Sequence, residues 1–338
     1  MAKIVVVVGV TGNQGGSVAR RFLQDPQYHV RGLTRHPTSD MARELADKGV
    51  EVVQADLDDV ESLKEAFAGA NLIFTVTNYW EPFFRPDCRQ EAAQLGISCR
   101  KYAYDVEYQQ GKNMADAAAA TVGSLDRNGL IASTLSHADK CSNGKFKRLY
   151  HFDGKADVFP HYVEEKHPEL AKKMSCVQTG YFTSSYNLAP QSYFVKQTDD
   201  SFVMRFPTSP TKAVPHLAVN EDTGSFVYGV SQMPPGKSYM AESSTCSWTH
   251  FMQIWGSVTG KKGTYEQVSS NDMIEAAQDR AFGAELADMF AYSSEPGYDG
   301  GDETLLTAAD IRKAGIDCPM TTLRQYMETA DWSAVFGL

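Results

Sequence analysis

The stretch Ile4-Val5-Val6-Val7-Val8-Gly9-Val10-Thr11-Gly12-Asn13-Gln14-Gly15 decides how the rest of this 338-residue chain is read. Its first five residues are all β-branched and apolar, as in a parallel strand covered on both faces. The next seven spell G-x-x-G-x-x-G. In such a turn one glycine removes a Cβ clash, another lets backbone approach a pyrophosphate, and the last lets helix and strand pack closely. A helix that follows presents unpaired N–H groups and a partial positive charge to phosphate. Val18, Ala19, Phe22 and Leu23 have the spacing of a buried helical face, which predicts that helix over 17–23. Glycines alone are a weak signal. Placed between a strand and a helix, they define a dinucleotide site.

Outward from this unit the chain alternates. Strands are expected at 29–34, 50–54, 72–76 and 130–134, with helices at 41–48, 60–68 and 112–121 between them. Gly49 and Gly69 end two of these helices. The alternation predicts an α/β fold with a doubly wound parallel sheet of the Rossmann, NAD(P)-binding type. Its ligand crevice lies at the carboxyl ends of the strands. Beyond about residue 150 the pattern loosens. Helices are expected at 153–165, 248–259 and 273–290, and strands at 175–179 and 202–206. Pro207, Pro210, Pro215 and Pro234-Pro235-Gly236 mark loops. These elements fit a smaller α+β C-terminal lobe. Trp248-Thr249-His250-Phe251 with Trp255 is spaced as the buried stripe of a helix.

Composition narrows the function classes. With 42% hydrophobic and 22% charged residues the chain is not of the disordered class. Its longest aliphatic run, Ile4 to Val8, falls far short of the roughly 20 residues a membrane-spanning helix needs. A formal net charge of −10 opposes nucleic-acid or anionic-membrane binding through charge. The six cysteines are scattered with no C-x-x-C pair, and no His/Cys group has metal-ligand spacing. Reduced structural thiols and no metal are expected. Met1-Ala2-Lys3 leads straight into the first strand without a signal-peptide layout, so the expected location is cytoplasmic, with the nucleus also open.

Two positions refine the nucleotide. The second strand ends Leu33-Thr34-Arg35, followed by His36-Pro37-Thr38-Ser39, where NAD-preferring sites carry an acid. A guanidinium there suits a 2′-phosphate, and no carboxylate opposes it in sequence before Asp40. NADP(H) is therefore favoured. Asp56 either accepts from the adenine amino group or caps the following helix.

With these residues in view, the chain resembles the NmrA-like branch of the atypical short-chain dehydrogenases. The resemblance rests on Gly9 to Gly15, Leu33-Thr34-Arg35, Val53-Gln54-Ala55-Asp56, Thr77-Asn78-Tyr79-Trp80-Glu81, Gln110-Gly111-Lys112 and His151-Phe152-Asp153-Gly154-Lys155. It extends through Glu285-Leu286-Ala287-Asp288-Met289-Phe290 to the C-terminal tryptophan region. It implies that Gly9, Val10, Thr11, Gly12, Asn13 and Gln14, with Gly15 completing the turn, hold the pyrophosphate. Arg35 would hold the 2′-phosphate, with Ser39 beside it. Asp56 and Leu57 would flank the adenine, and Thr77, Asn78 and Tyr79 would line the path to the nicotinamide ribose. Lys155 would bond that ribose, and Tyr181, Phe182, Thr183 and Ser184 would close over the ring.

The chain also departs from the pattern. Ser39 stands where a relative carries a second basic residue, which weakens the expected grip on phosphate. Pro82 to Tyr108 is longer than the usual connection, Gln109 replaces a lysine, and Ser184 replaces an asparagine. The expected division is a nucleotide-binding domain over 1–155, with the extra segment 82–108, and a smaller lobe over 156–338. That lobe closes over the nicotinamide end and is partly interleaved with the sheet. The extra segment, with Tyr102, Tyr104, Tyr108, Cys88 and Cys99, is a lid, an oligomer contact or a surface loop.

Hydride reduction of a carbonyl needs an acid for the forming alkoxide. Ordinary short-chain dehydrogenases use Tyr-x-x-x-Lys, in which the ammonium lowers the phenol's pKa. Here the spacing is His151-x-x-x-Lys155, and the tyrosine is gone. Ser133 and Thr134 end the fifth strand, where the scaffold presents a hydroxyl. Three alternatives follow: His151 is the acid, Lys155 polarises or protonates as its match is thought to in isoflavone-reductase-like relatives, or no reaction occurs. For His151 the competing reading is a loop histidine bonded to nearby backbone.

Two functions compete accordingly. One is an NADPH-dependent oxidoreductase acting on a small carbonyl or conjugated substrate. The other is a non-catalytic NADP(H) redox sensor that regulates a protein partner such as a transcription regulator. The partner is a small molecule or a protein, not nucleic acid or membrane, and a homodimer is compatible with either.

Overall fold

The computed structural model describes residues 2–337. Thirteen strands are described: β1 Lys3–Val7, β2 Tyr28–Thr34, β3 Glu51–Gln54, β4 Leu72–Thr75, β5 Leu130–Thr134, β6 Met174–Thr179, β7 Tyr181–Phe182, β8 Val195–Lys196, β9 Phe202–Phe206, β10 Val214–Leu217, β11 Ser238–Ala241, β12 Ser244–Cys246 and β13 Gly263–Gln267. Seven form one parallel sheet in the order β11-β6-β5-β4-β1-β2-β3. The order reverses between β1 and β4, and a doubly wound sheet opens its crevice at that switch point.

Helices cover both faces, which is why β4 and β5 are buried along their whole length and apolar until their last residues, Thr75 and Ser133-Thr134. The first is α1, Asn13–Phe22, which begins within the glycine turn, four residues earlier than the apolar spacing predicted. It buries Val18, Ala19 and Phe22 against the sheet. Further helices are α2 Asp40–Asp47, α3 Val60–Phe67, α4 Trp80–Phe84, α5 Pro86–Gln94, α6 Cys99–Ala120, α7 Tyr150–Ala156, α8 Val219–Ser231, α9 Trp248–Thr259, α10 Ser270–Ala276 and α11 Arg280–Tyr292. α1 and α8 meet backbone to backbone. Gly224 N–H donates to Ser17 Oγ at 2.9 Å, and a Cβ on Gly224 would lie 2.2 Å from the Ser17 carbonyl oxygen.

Residues beyond 155 supply β6 and β11 to the main sheet. They also form two three-stranded sheets, β12-β10-β7 and β13-β9-β8. An aromatic core joins these, with Trp248, Phe251 and Trp255 buried on one face of α9 and His250 exposed.

Several expectations are corrected. The segment 82–108 is helical: α4, α5 and the first half of α6, with Phe83 and Ala103 buried against Tyr79. α6 is a single helix of 22 residues, of which only the alanine-rich end was legible as helical. The helix expected over 153–165 starts at Tyr150 and is broken by Pro160, with Phe159 outside helical geometry. The helix expected over 273–290 is two, α10 and α11, because Asp279 caps a new start by accepting from Ala281 and Phe282 N–H. Pro215 lies inside β10, not in a loop.

Candidate functional site

The glycine turn follows β1 directly. Gly9 adopts φ +62°, and a Cβ on Gly15 would lie 2.2 Å from the Gly9 carbonyl oxygen, so close approach of helix to strand requires glycine there. Val10 donates its N–H to Leu33 O at 3.1 Å and tucks against Gly32, where a Cβ would meet Val10 at 2.7 Å. Gly32, within β2, thus makes room for the turn, though it reads in sequence as an ordinary strand residue. Gly12 and Asn13 are exposed, Thr11 and Gln14 are half-buried, and no side chain caps α1. Its first N–H groups therefore face the crevice without an intrahelical acceptor, as a pyrophosphate needs. Ser133, at the end of β5, donates its hydroxyl to Gln14 Oε1 at 2.8 Å. That places Ser133 under the turn as a support for Gln14.

Arg35 follows β2 and is not unopposed. The connection after β4 swings Glu81 toward it, and Arg35 Nη1 lies 3.1 Å from Glu81 Oε1. Ser39 caps α2 by accepting from Ala42 N–H at 3.3 Å. After β3, Asp56 does not cap α3; Asp59 does, accepting from Glu61 and Ser62 N–H. Asp56 Oδ1 instead accepts from Asp58 N–H within the loop. Gln110 and Asn113 of α6 hold this loop by donating to Asp58 Oδ1 and Leu57 O. Gly111 is required between them, because a Cβ there would lie 2.8 Å from Val158.

Near the carboxyl end of β4, each polar residue of His151-Phe152-Asp153-Gly154-Lys155 has a side-chain partner from outside this stretch. Lys155 Nζ lies 2.5 Å from Glu107 Oε1, and the same oxygen accepts from Thr77 Oγ1 at 2.7 Å. This brings Lys155 to the carboxyl end of β4. Glu107 is fully buried, its Oε2 has no hydrogen-bond partner, and a Cβ on Gly154 would crowd that oxygen at 3.0 Å. Asp153 and Asp157 each lie 3.0 Å from a ring nitrogen of His137. Burial opposes the charge on His137, but the two carboxylates outweigh it and raise its pKa to about 9.

His151 is on a helix, not a loop, and its partner is a side chain as well as that side chain's grip on backbone. Its Nδ1 lies 2.6 Å from Glu285 Oε1, which also accepts the His151 backbone N–H at 2.9 Å. Glu285 Oε2 takes Arg100 at 2.6 Å, and Arg100 also reaches Asp288. Burial alone would raise the Glu285 pKa, but His151 and Arg100 hold it below the usual carboxylate range. The His151 ring packs against Trp80 and Tyr79, and the buried Tyr79 hydroxyl donates to Arg100 O. Asn78 Oδ1 accepts from Trp80 N–H.

Tyr181, Phe182, Thr183 and Ser184 follow β6 and alternate in exposure: Tyr181 and Thr183 are buried, Phe182 and Ser184 half-buried. Tyr181 packs its ring against Trp248, His216 and Phe290 inside the aromatic core. Within this group the Tyr181 hydroxyl, His216 Nε2 and Trp248 Nε1 have no hydrogen-bond partner. Sequence reading missed Gly32, Glu81, Glu107, His137 and Glu285 as members of the site. Only Glu81 and Glu285 lay within quoted motifs, and nothing local marked their partners.

A seven-stranded parallel sheet with a glycine turn at its switch point defines a nucleotide-binding α/β protein of the doubly wound class. More narrowly, residues 1–328 match the NmrA-like family, and the chain belongs to that family. It is 27% identical over 353 residues to the NmrA-like family domain-containing oxidoreductase cpsB of Aspergillus campestris, covering 96% of each chain. Among solved structures, the negative transcriptional regulator NmrA in complex with NADP superposes with a TM-score of 0.71 at 20% identity, over 97% of this chain and 95% of that one. The NADPH-dependent quinone oxidoreductase QOR2 of Escherichia coli, complexed with NADPH, superposes with a TM-score of 0.67 at 18% identity, over 96% and 98%. At these identities the likeness to solved structures establishes the fold.

Proposed function

We propose that this chain binds NADP(H) across the carboxyl ends of β1, β2 and β4 and reduces a small carbonyl or conjugated substrate. The observation that carries the reading is the placement of two cations at the edges of one crevice. The glycine turn lies at its switch point, Arg35 follows β2, and Lys155 reaches the end of β4 through Thr77 and Glu107. The open α1 N-terminus and the close-packed glycines fit a pyrophosphate. Arg35 fits a 2′-phosphate, and Lys155 fits a ribose hydroxyl. The family's oxidoreductase members and the NADP-bound neighbours support the same reading.

Bound NADPH would supply the hydride. The chain's own contribution is charge and position. Lys155 presents an ammonium where negative charge develops, and Glu107 keeps that cation anchored. The His151 ring is buried against Tyr79 and Trp80 with its Nδ1 on Glu285, and the Ser133 hydroxyl is committed to Gln14. We assign both to positioning, His151 behind Tyr79 and Trp80 and Ser133 under the glycine turn. Lys155 is then the proton-side residue of the three.

The same two commitments favour the second reading. A chain whose histidine and serine are both engaged, and whose dehydrogenase tyrosine is missing, also suits an NADP(H) sensor that regulates a protein partner. NADPH oxidation followed by absorbance against quinones, enones and aldehydes separates the two. Acceptor-dependent oxidation that falls in Lys155→Ala supports the reductase. Tight NADPH binding with no oxidation by any acceptor class replaces it with the sensor.

A further inference from the structure

Two guanidinium groups converge on one carboxylate oxygen at the Arg35 end of the crevice. Glu81 Oε1 lies 3.1 Å from Arg35 Nη1 and 3.6 Å from Arg85 Nη1. Arg85 stands at the joint between α4 and α5, inside the extra segment, and its position is fixed from the other side. Its Nε and Nη2 take Asp87 at 3.0 and 2.7 Å, which leaves Nη1 turned to Glu81. All three converging side chains keep contact with solvent, Arg35 and Arg85 at 43% and Glu81 at 28% exposure. Ser39 contributes no charge, and its hydroxyl is used on the α2 cap.

We propose that Arg35 and Arg85 form a two-arginine clamp for the 2′-phosphate of NADP(H), and that Glu81 is its built-in competitor. The inference rests on the NADP(H) reading above. In the free protein the Glu81 carboxylate occupies the position between the guanidiniums. It takes up hydrogen-bonding capacity of both, while Arg85 is held in place independently by Asp87. A phosphate brings close to two negative charges and three acceptor oxygens, so it serves both forks better than one carboxylate oxygen does. Its arrival displaces Glu81. A nucleotide without that phosphate leaves Glu81 in place. The clamp therefore explains how a chain with serine at position 39 recovers a second basic ligand, from a helix joint in a different part of the sequence. The competitor holds NADPH affinity below what two arginines alone would give.

The test is the dissociation constants of NADPH and NADH for the full chain and three variants, measured by titration calorimetry at fixed salt. Glu81→Gln removes the competing charge and keeps the side chain's shape. It is expected to tighten NADPH about threefold to fivefold and to leave NADH essentially unchanged, in the range of one partly exposed charge pair. Arg85→Ala is expected to weaken NADPH about tenfold, again with little effect on NADH. Glu81→Gln that fails to tighten NADPH, or Arg85→Ala that fails to weaken it, overturns the clamp. In either case a wild-type preference for NADPH that Arg35→Ala abolishes leaves the cofactor reading standing. A wild-type chain that binds neither nucleotide brings down the cofactor reading and the clamp with it. Unfolding curves without nucleotide verify that each variant is folded.

Discussion

The Lys155 ammonium and the Glu107 carboxylate form a buried pair 2.5 Å apart, Glu107 with no exposed surface and Lys155 with 12%. The pair ties α7 to α6 near the carboxyl end of β4. An ammonium in that position without a partner would bear the desolvation cost alone. The residue expected to touch the cofactor ribose is thus also a structural residue, and its two roles need separating.

Lys155→Ala leaves Glu107 buried and unpaired, and an expected loss of about 3–5 kcal/mol follows. The double variant Lys155→Ala with Glu107→Leu removes both charges and should regain most of that stability. NADPH affinity is expected to stay weak in both. Urea unfolding and nucleotide titration on the same samples check this. Recovery of affinity together with stability would mean that Lys155 acts on the cofactor only through the fold.

At the glycine turn, Gly15→Ala places a Cβ 2.2 Å from the Gly9 carbonyl oxygen, so α1 has to move away from β1. The expected cost is about 1–3 kcal/mol of stability, as for overpacking a close contact. The rise in melting temperature on adding NADPH should disappear, because the helix N-terminus leaves the crevice. A retained rise places the pyrophosphate elsewhere.

His151→Gln discriminates positioning from proton donation. It is expected to cost about 1–3 kcal/mol by loosening Glu285. The pH profile of NADPH oxidation should keep its shape, since the His151 ring is buried against Tyr79 and Trp80. A lost limb of that profile would return His151 to the chemistry.

Stability should fall on the alkaline side through His137. Its folded pKa is raised to about 9 by Asp153 and Asp157, working against burial. The unfolded value is about 6.5, so the contribution is complete below that pH and is lost as pH rises toward the folded value. The loss is up to about 3 kcal/mol. Unfolding free energies from pH 6 to 9.5 should show this fall, and His137→Gln should flatten it.

The acid side carries the opposite sign. His216 is fully buried among Tyr181, Trp248 and Phe251, and burial lowers its pKa to about 4. Between that value and about 6.5 the unfolded chain binds a proton that the folded chain refuses. Stability therefore drops as pH falls through this window. His216→Phe is expected to reduce the slope between pH 6.5 and 4.5, measured by denaturant unfolding.

What the sequence determined by itself is local. The β-branched run before Gly9, the glycines after it and the alternation through Thr134 specify a parallel sheet with its crevice, because strand period, turn sterics and helix ends act over a few residues. Some element edges followed from the same rules, as at Leu130–Thr134, Phe202–Phe206 and Trp248–Thr259, whose bounds match the expected ones. The segment 82–108 was not legible. Its helices are short or weakly patterned, and they are fixed by packing on one another, on α3 and on Tyr79, with Phe282 of α11 against the same cluster.

The partners of the site's charged groups were decided by tertiary structure alone. Arg35 meets Glu81 across 46 positions, Lys155 meets Glu107 across 48, and His151 meets Glu285 across 134. Motif spacing supplies the cations and the histidine but is silent on which carboxylate each one faces. A charge pair depends on distance in space and on the water removed around it, and both are properties of how the helices pack.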